Sequence, residues 1–308
     1  MINALSQTAR KVIKYRVMLL MLLPGILFFV MFSYLPMLGI VIAFKKLNYT
    51  DGIWGSPWVG FENFRFLFLS GNLGAIIRNT ALYNLVFIIL GNGLAIGVAI
   101  MLAELTSRLF KKTAQSLLFI PYFISWVVVG AFIYSIFNYE FGLLNSLLKT
   151  LHIEPVNIYD QPPAWVSIII SSYLWKNIGY FSIIYLAAIS GIDQGLYEAA
   201  QIDGANVLQR IRFITLPSLI PTVVVLILLA LGNVFRGDFN MFFQIVGDNA
   251  MVFGHTDVID TFVTRSLLKT REFGMSSAAG LLQSTLCFVL IVTVNSVIRR
   301  VDKENALY

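Results

Sequence analysis

The residue best placed to do electrostatic work is Lys176. It stands between Trp175 and Asn177, the only charge in the apolar stretch from Ala164 to Ala188. An ammonium at mid-bilayer costs at least ~2.5 kcal/mol on insertion scales, so it must face a cavity or a partner. Two readings stand side by side. Lys176 lines a path and touches a polar solute, or it is satisfied structurally, by a carboxylate or carbonyls at a subunit interface or by snorkelling if the span is shifted. Aromatic residues gather near it in two consecutive apolar segments, among them Trp126, Tyr134, Tyr173, Trp175 and Tyr180. Sugar rings have apolar faces that stack on such side chains; the plainer reading is helix packing or an interfacial belt. Arg236, Asp238, Asn240 and Gln244 bring polar groups to the mouth of the same path, or form a solvated loop.

Other chemistries lack their residues. A phosphate-cradling loop needs G-x-x-x-x-G-K-[ST], and no Gly-Lys pair occurs. Neither G-x-S-x-G nor H-E-x-x-H is present. His152 and His255 lie far apart and Cys287 is the only cysteine, so neither a metal site nor an internal disulfide is expected. The chain is therefore not read as an enzyme, and energy for any work must come from another subunit or an ion gradient.

The elements that position these residues are membrane spans. The 308 residues are 58% hydrophobic and 12% charged, with mean hydropathy +0.79; soluble domains carry about 25% charge. The net charge of +6 forms no single patch, which argues against nucleic acid. A hydrocarbon core about 30 Å thick needs about 20 apolar helical residues. Six stretches qualify: Val17 to Phe44, Asn79 to Ala103, Thr113 to Tyr139 with Pro121 inside, Ala164 to Ala188, Leu216 to Phe235 and Phe273 to Ile298. Between them the spacing predicts an aromatic-rich outer loop to Arg78, a short helix over Phe141 to Leu151 and one helix over Asp257 to Lys269. Gly91, Gly93 and Gly97 are read as close-packing positions. The basic stretch Arg10, Lys11, Lys14 and Arg16 precedes an apolar run too long for a signal peptide. With the N-terminus inside, inner segments hold 12 basic and 6 acidic residues and outer ones 9 and 10. That favours both termini in the cytoplasm. The chain divides into 1–78 (basic segment, first span, outer loop), a five-helix core 79–298 and a tail 299–308.

One amphipathic run lies outside the spans, from Glu198 to Pro221. Asp203-Gly204 interrupts it, glycine allowing a sharp turn. Val207, Leu208, Ile211 and Ile214 then mark one helix face, and Pro217 is expected in the first turn of a new helix. This predicts two short helices joined by a bend. They lie on the bilayer, or they present an apolar knob to a partner groove.

Glu198-Ala199-Ala200, Asp203-Gly204-Ala205 and Ile214-Thr215-Leu216-Pro217 together resemble the EAA loop of permease subunits of ATP-binding-cassette importers. Ile211 stands where many members have Phe. The resemblance implies an all-α, MetI-like type I importer permease of six transmembrane helices in the cell membrane. It also implies that loop 197–217 couples to the ATPase through Glu198, Ala199, Ala200, Asp203, Gly204, Ala205, Ile211, Leu216 and Pro217. Its partners would be a second homologous permease, two ATP-binding subunits carrying ATP and Mg, an extracytoplasmic solute-binding protein and a carbohydrate; the chain itself would hold no cofactor. Met21-Leu22-Leu23-Pro24-Gly25, Gly52 to Gly60 and Val258-Ile259-Asp260-Thr261 are similar to the branch that imports alginate- and pectin-derived oligosaccharides, although Phe235 to Phe243 departs from it. The substrate path would then include Lys176, Trp175, Asn177, Tyr180, Trp126, Tyr134, Arg236 and Asp238. The rival reading is a stand-alone ion-coupled secondary transporter. Such proteins tend to carry carboxylates in discontinuous helices at the midplane, and no Asp or Glu lies inside any assigned span.

Overall fold

The computed structural model describes residues 14–69, 71 and 73–301. Arg10 and Lys11 of the basic stretch, and Lys303 of the tail, lie outside the described residues. Among those described there is no strand, only an isolated bridge between Lys45 and Trp58.

The first apolar run forms α1 (Arg16–Phe44), continuous through a widened turn at Val30–Tyr34 and a tightened end at Leu38–Phe44. The widened turn has a local cause. Pro36 lacks an N–H, and its ring would strike the carbonyl four residues back; Leu35 N–H reaches five residues back, to Val30 O, and the turn opens. The aromatic loop carries α2 (Gly52–Gly55) and α3 (Glu62–Leu69). Buried Lys45 ties this loop down, its ammonium donating to Ile53 O at 3.0 Å and Trp54 O at 2.8 Å.

The core follows as α4 (Leu73–Glu104), α5 (Arg108–Phe123), α6 (Trp126–Phe137), α7 (Leu143–Thr150) and α8 (Pro162–Ser190). Beyond it come α9 (Gln194–Ile202), α10 (Val207–Leu231), α11 (Phe239–Val246), α12 (Phe253–Thr256), α13 (Ile259–Arg265) and α14 (Phe273–Val301). Helix α8 packs along α4 and α5, and α11 lies against α6. Tyr83, Phe87, Val129, Trp165, Ile169 and Phe242 fill the core at the end away from Glu198; Ala95, Ala99, Tyr185 and Leu219 fill it at the near end.

Among the described residues four helices are long and apolar enough to cross a membrane: α1, α4, α10 and α14. The α5–α6 pair, bent by 92°, is a fifth if it counts as one span. Helix α8 has 29 residues, ample length, but Ser171, Ser172, Lys176 and Asn177 keep it less apolar than the others.

Several expectations need correction. The stretch Thr113 to Tyr139 is not one kinked helix; it breaks at Ile124-Ser125, where Ser125 caps α6 by accepting from Val128 N–H. The second span begins at Leu73, ahead of Asn79. Arg236 to Glu272 holds three helices where one was expected, since Asp238 caps α11 and α12 precedes α13. Gly93 and Gly97 face open space, and Gly91 meets only Tyr173 at 3.9 Å. The close approach is at Gly179, where an added Cβ would lie 1.8 Å from Leu118 O.

Candidate functional site

Two polar assemblies stand at different depths. The first is the hairpin of α9 and the start of α10. Helix α9 ends in a Schellman motif: Ala205 N–H donates to Ala200 O at 2.9 Å and Gly204 N–H to Gln201 O at 3.1 Å. This ending needs a left-handed residue, which Gly204 supplies at φ +80°. Asn206 then starts α10 with a capping box, its side chain and that of Gln209 each bonding the other's backbone N–H. Sequence reasoning found the bend but missed Asn206; the N-x-x-Q spacing was the available signal.

From Asn206 the chain runs without interruption into an apolar span, so α10 starts at Val207 and not at Leu216. Pro217 does not open a new helix. A widened turn at Ile211–Thr215, with Leu216 N–H donating to Ile211 O, carries the proline inside α10. The hairpin is thus rigidly continuous with a span through one arm. Tyr197 Oη and Thr215 Oγ1, 2.9 Å apart, clamp the two arms together.

The hairpin's most exposed apolar residues are Ile202 at 86%, Leu208 at 75% and Phe213 at 69% exposure, with Leu196, Val207 and Leu216 exposed to a lesser degree. Ile211 and Ile214 are half-buried. The protruding aromatic is therefore Phe213, two residues beyond the position where the motif led the eye. Glu198, Ala199, Asp203, Leu216 and Pro217 are exposed, Ala200 and Ala205 half-buried. Glu198 forms no ion pair among the described residues.

The second assembly surrounds Lys176. The break after α5 leaves carbonyls that no helix satisfies, at the negative end of its dipole. Lys176, only 8% exposed, points straight at them. Its ammonium donates to Pro121 O at 3.3 Å, to Tyr122 O at 2.6 Å and to Ile124 O. The Tyr122 and Trp126 rings lie 5.6 and 5.3 Å from it. One turn further along α8, Gly179 lets the α5 backbone approach close enough for this reach. Of the two readings of Lys176, the geometry supplies the carbonyls.

Trp126 and Asp238 come together: the indole N–H donates to Asp238 Oδ2 at 2.9 Å, while Oδ1 accepts from Met241 N–H at 3.1 Å. Tyr180 stacks on Tyr122 at 4.5 Å between centroids. Lys176, Trp126, Asp238, Tyr122 and Tyr180 thus form one patch at the break. Trp175 does not join it. One residue from Lys176 on a helix, it faces an apolar cleft of about 440 Å³ with Phe132 and Ile136. Asn177 back-bonds to Tyr173 O at 2.9 Å, and Tyr134 packs edge-on to Phe141. Arg236 is exposed, and its carbonyl accepts from Asn84. No group of metal-ligating side chains occurs among the described residues.

Above the break, α4 is stitched to the 236–272 connection. Asn79 donates to Gly254 O at 3.1 Å, Tyr83 Oη to His255 O at 3.0 Å, and Ile259 N–H to Thr80 Oγ1 at 3.0 Å. Asp260 Oδ2 accepts from Gly237 N–H and from Gln283. Burial pushes the Asp260 carboxyl above its ordinary value of 3.8 despite both hydrogen bonds.

Comparison with known proteins agrees with this architecture. Residues 95–303 match the family described as binding-protein-dependent transport system inner membrane component. The polygalacturonan/rhamnogalacturonan transport system permease protein YteP of Bacillus subtilis (strain 168) is 33% identical over 294 residues, covering 96% of this chain and 91% of its own. Protein LplB of the same organism is 30% identical over 285 residues, 92% and 89% of the two chains. A chain of a bacterial ABC transporter involved in the import of the acidic polysaccharide alginate superposes with TM-score 0.87 at 32% identity, covering 96% of this chain and 99% of that one. A second structure of an alginate transporter, in complex with alginate pentasaccharide-bound periplasmic protein, gives TM-score 0.85. With two thirds of its length matched and relatives at this identity aligned almost end to end, the chain belongs to the family of inner-membrane components of binding-protein-dependent transport systems.

Proposed function

We propose that the chain is the permease subunit of an ATP-binding-cassette importer and forms part of the translocation path for an oligosaccharide. The observation that carries this is the hairpin. It has a glycine-set bend, clamped arms, an exposed apolar surface led by Ile202, Leu208 and Phe213, and one arm continuous with a span. A docking surface of this kind suits a groove on a foreign subunit, and the chain has no Gly-Lys pair with which to bind nucleotide itself. ATP and Mg then belong to a partner ATPase, with Glu198 and the exposed apolar residues making the contact. The exposed length of α1 suits lipid and a second permease. Six spans with both termini in the cytoplasm result if α5–α6 and α8 each cross once; the excess of basic residues on the hairpin side supports that orientation.

In this account Lys176 is a brace and not a substrate ligand. It holds the α5–α6 break open, so that Trp126, Tyr122, Tyr180 and Asp238 present a ring-lined, polar wall to the solute. Closure of the ATPase dimer moves the hairpin as one piece, and α10 transmits the motion. The sugar class is supported by what the relatives are named for. The test is uptake into proteoliposomes containing the complete transporter and the cognate solute-binding protein. Uptake of labelled oligosaccharide should require internal ATP and a co-purified ATPase. Uptake by the isolated chain under an ion gradient, without nucleotide, would establish the secondary-transporter reading instead.

A further inference from the structure

Three helix ends converge behind the hairpin around a cavity of about 220 Å³. Glu104 is the last residue of α4, Lys111 lies in the first turn of α5 and Arg210 in the first turn of α10. Ser190, Tyr197 and Thr215 supply hydroxyls to its wall. The charges do not balance, since two cations face one carboxylate. Glu104 comes only to 3.9 Å of Arg210 Nη2, at the outer limit of an ion pair. Arg210 Nε is buried and donates to nothing. Lys111 is half-buried and pairs with no carboxylate among the described residues. A buried donor left unmade is costly, more so on a charged group.

We infer that this cavity binds a phosphate group, borne by a lipid headgroup or free in solution. A guanidinium and an ammonium around one point suit phosphate oxygens. The Tyr197–Thr215 hydroxyl pair uses one of its two protons internally and has the other to donate. The single excess positive charge matches a phosphodiester, whereas free phosphate is a mixture of mono- and dianion at neutral pH. The depth also fits a headgroup, because all three charged residues sit at the ends of apolar helices, where hydrocarbon gives way to water. Basic pockets between transmembrane helices bind anionic headgroups by this chemistry. The occupant would join α5 to the second arm of the hairpin and so seat the hairpin. That consequence rests on the reading of the hairpin as the coupling element; the binding does not.

The purified complete transporter is placed in nanodiscs of phosphatidylcholine with phosphatidylglycerol, or of phosphatidylcholine alone with inorganic phosphate. Retained phosphatidylglycerol is counted by native mass spectrometry, and the unfolding midpoint is recorded against phosphate concentration. Wild type should retain phosphatidylglycerol, and Lys111→Gln, with its unfolding midpoint in plain phosphatidylcholine unchanged, should retain it about fivefold less. A phosphate-dependent rise in midpoint without lipid retention, abolished by Lys111→Gln, assigns the site to free phosphate. If neither source binds wild type, or if Lys111→Gln and Arg210→Gln bind as wild type does, the inference is overturned. Because no readout requires transport, its failure is separable from failure of the coupling assignment.

Discussion

Replacing Lys176 with methionine keeps the length of the side chain and deletes its charge. Tyr122 O and Ile124 O at the α5–α6 break then lose the ammonium, as does Pro121 O, which keeps only Ile124 N–H at 3.2 Å. Hydrogen bonds to a charged group contribute about 1.5–3 kcal/mol each. Against their loss stands recovery of the ~2.5 kcal/mol insertion cost of the ammonium. The balance is a loss of roughly 2–6.5 kcal/mol, concentrated where two half-helices meet at 92°. The assay is paired: the unfolding midpoint of the purified transporter, and the concentration dependence of oligosaccharide uptake. A brace predicts a midpoint lower by several degrees and reduced turnover at nearly constant KM. The reasoning is refuted if Lys176→Met unfolds with wild type while KM rises tenfold or more, since that is how a substrate ligand behaves.

Three further outcomes are expected. Gly204→Val forces a β-branched residue to φ +80°, a conformation costing about 1–2 kcal/mol, with open space around the added Cβ. It should lower uptake per ATP hydrolysed, while Gly204→Asn, which tolerates that conformation, should stay near wild type. Gly179→Ala pushes a methyl into the Leu118 carbonyl; overpacking of this kind costs about 1–3 kcal/mol or more and should show as poor yield of folded protein. For Asp260 the sign runs against the usual carboxylate. Its folded value is raised, so the folded state binds protons more readily, and stability falls as pH rises from 3.8 through the folded value. Asp260→Asn should flatten that segment of the unfolding-versus-pH curve.

The sequence and the structure part company wherever a distant residue decides the outcome. The bend of the hairpin is local, written in Asp203-Gly204-Ala205-Asn206, and periodicity located it. The break at Ile124-Ser125 is only partly local, the Ser125 cap being its local component. Pro121 signals a weak point, but the helix parts there because a lysine more than fifty residues away satisfies the freed carbonyls. Lys176 was conspicuous in the sequence, whereas its partners are backbone atoms and carry no residue signature. Pro217 misled for a related reason. A proline reads as a helix start, yet a widened turn can absorb it, and nothing in the composition of Ile211 to Thr215 announces one. Likewise α11 was hidden in a stretch read as polar, although Asp238 followed by Phe242, Ile245 and Val246 is a capped amphipathic turn once its partner α6 is known.

The central claim is that the hairpin is the surface an ATPase subunit grips. It is tested most directly by labelling Leu208→Cys in a Cys287→Ser background with a membrane-impermeant maleimide, in inside-out vesicles, before and after the ATPase subunits are stripped. Protection in the intact transporter and rapid labelling once stripped is the predicted result. Equal labelling in both states, or labelling only in right-side-out vesicles, contradicts it.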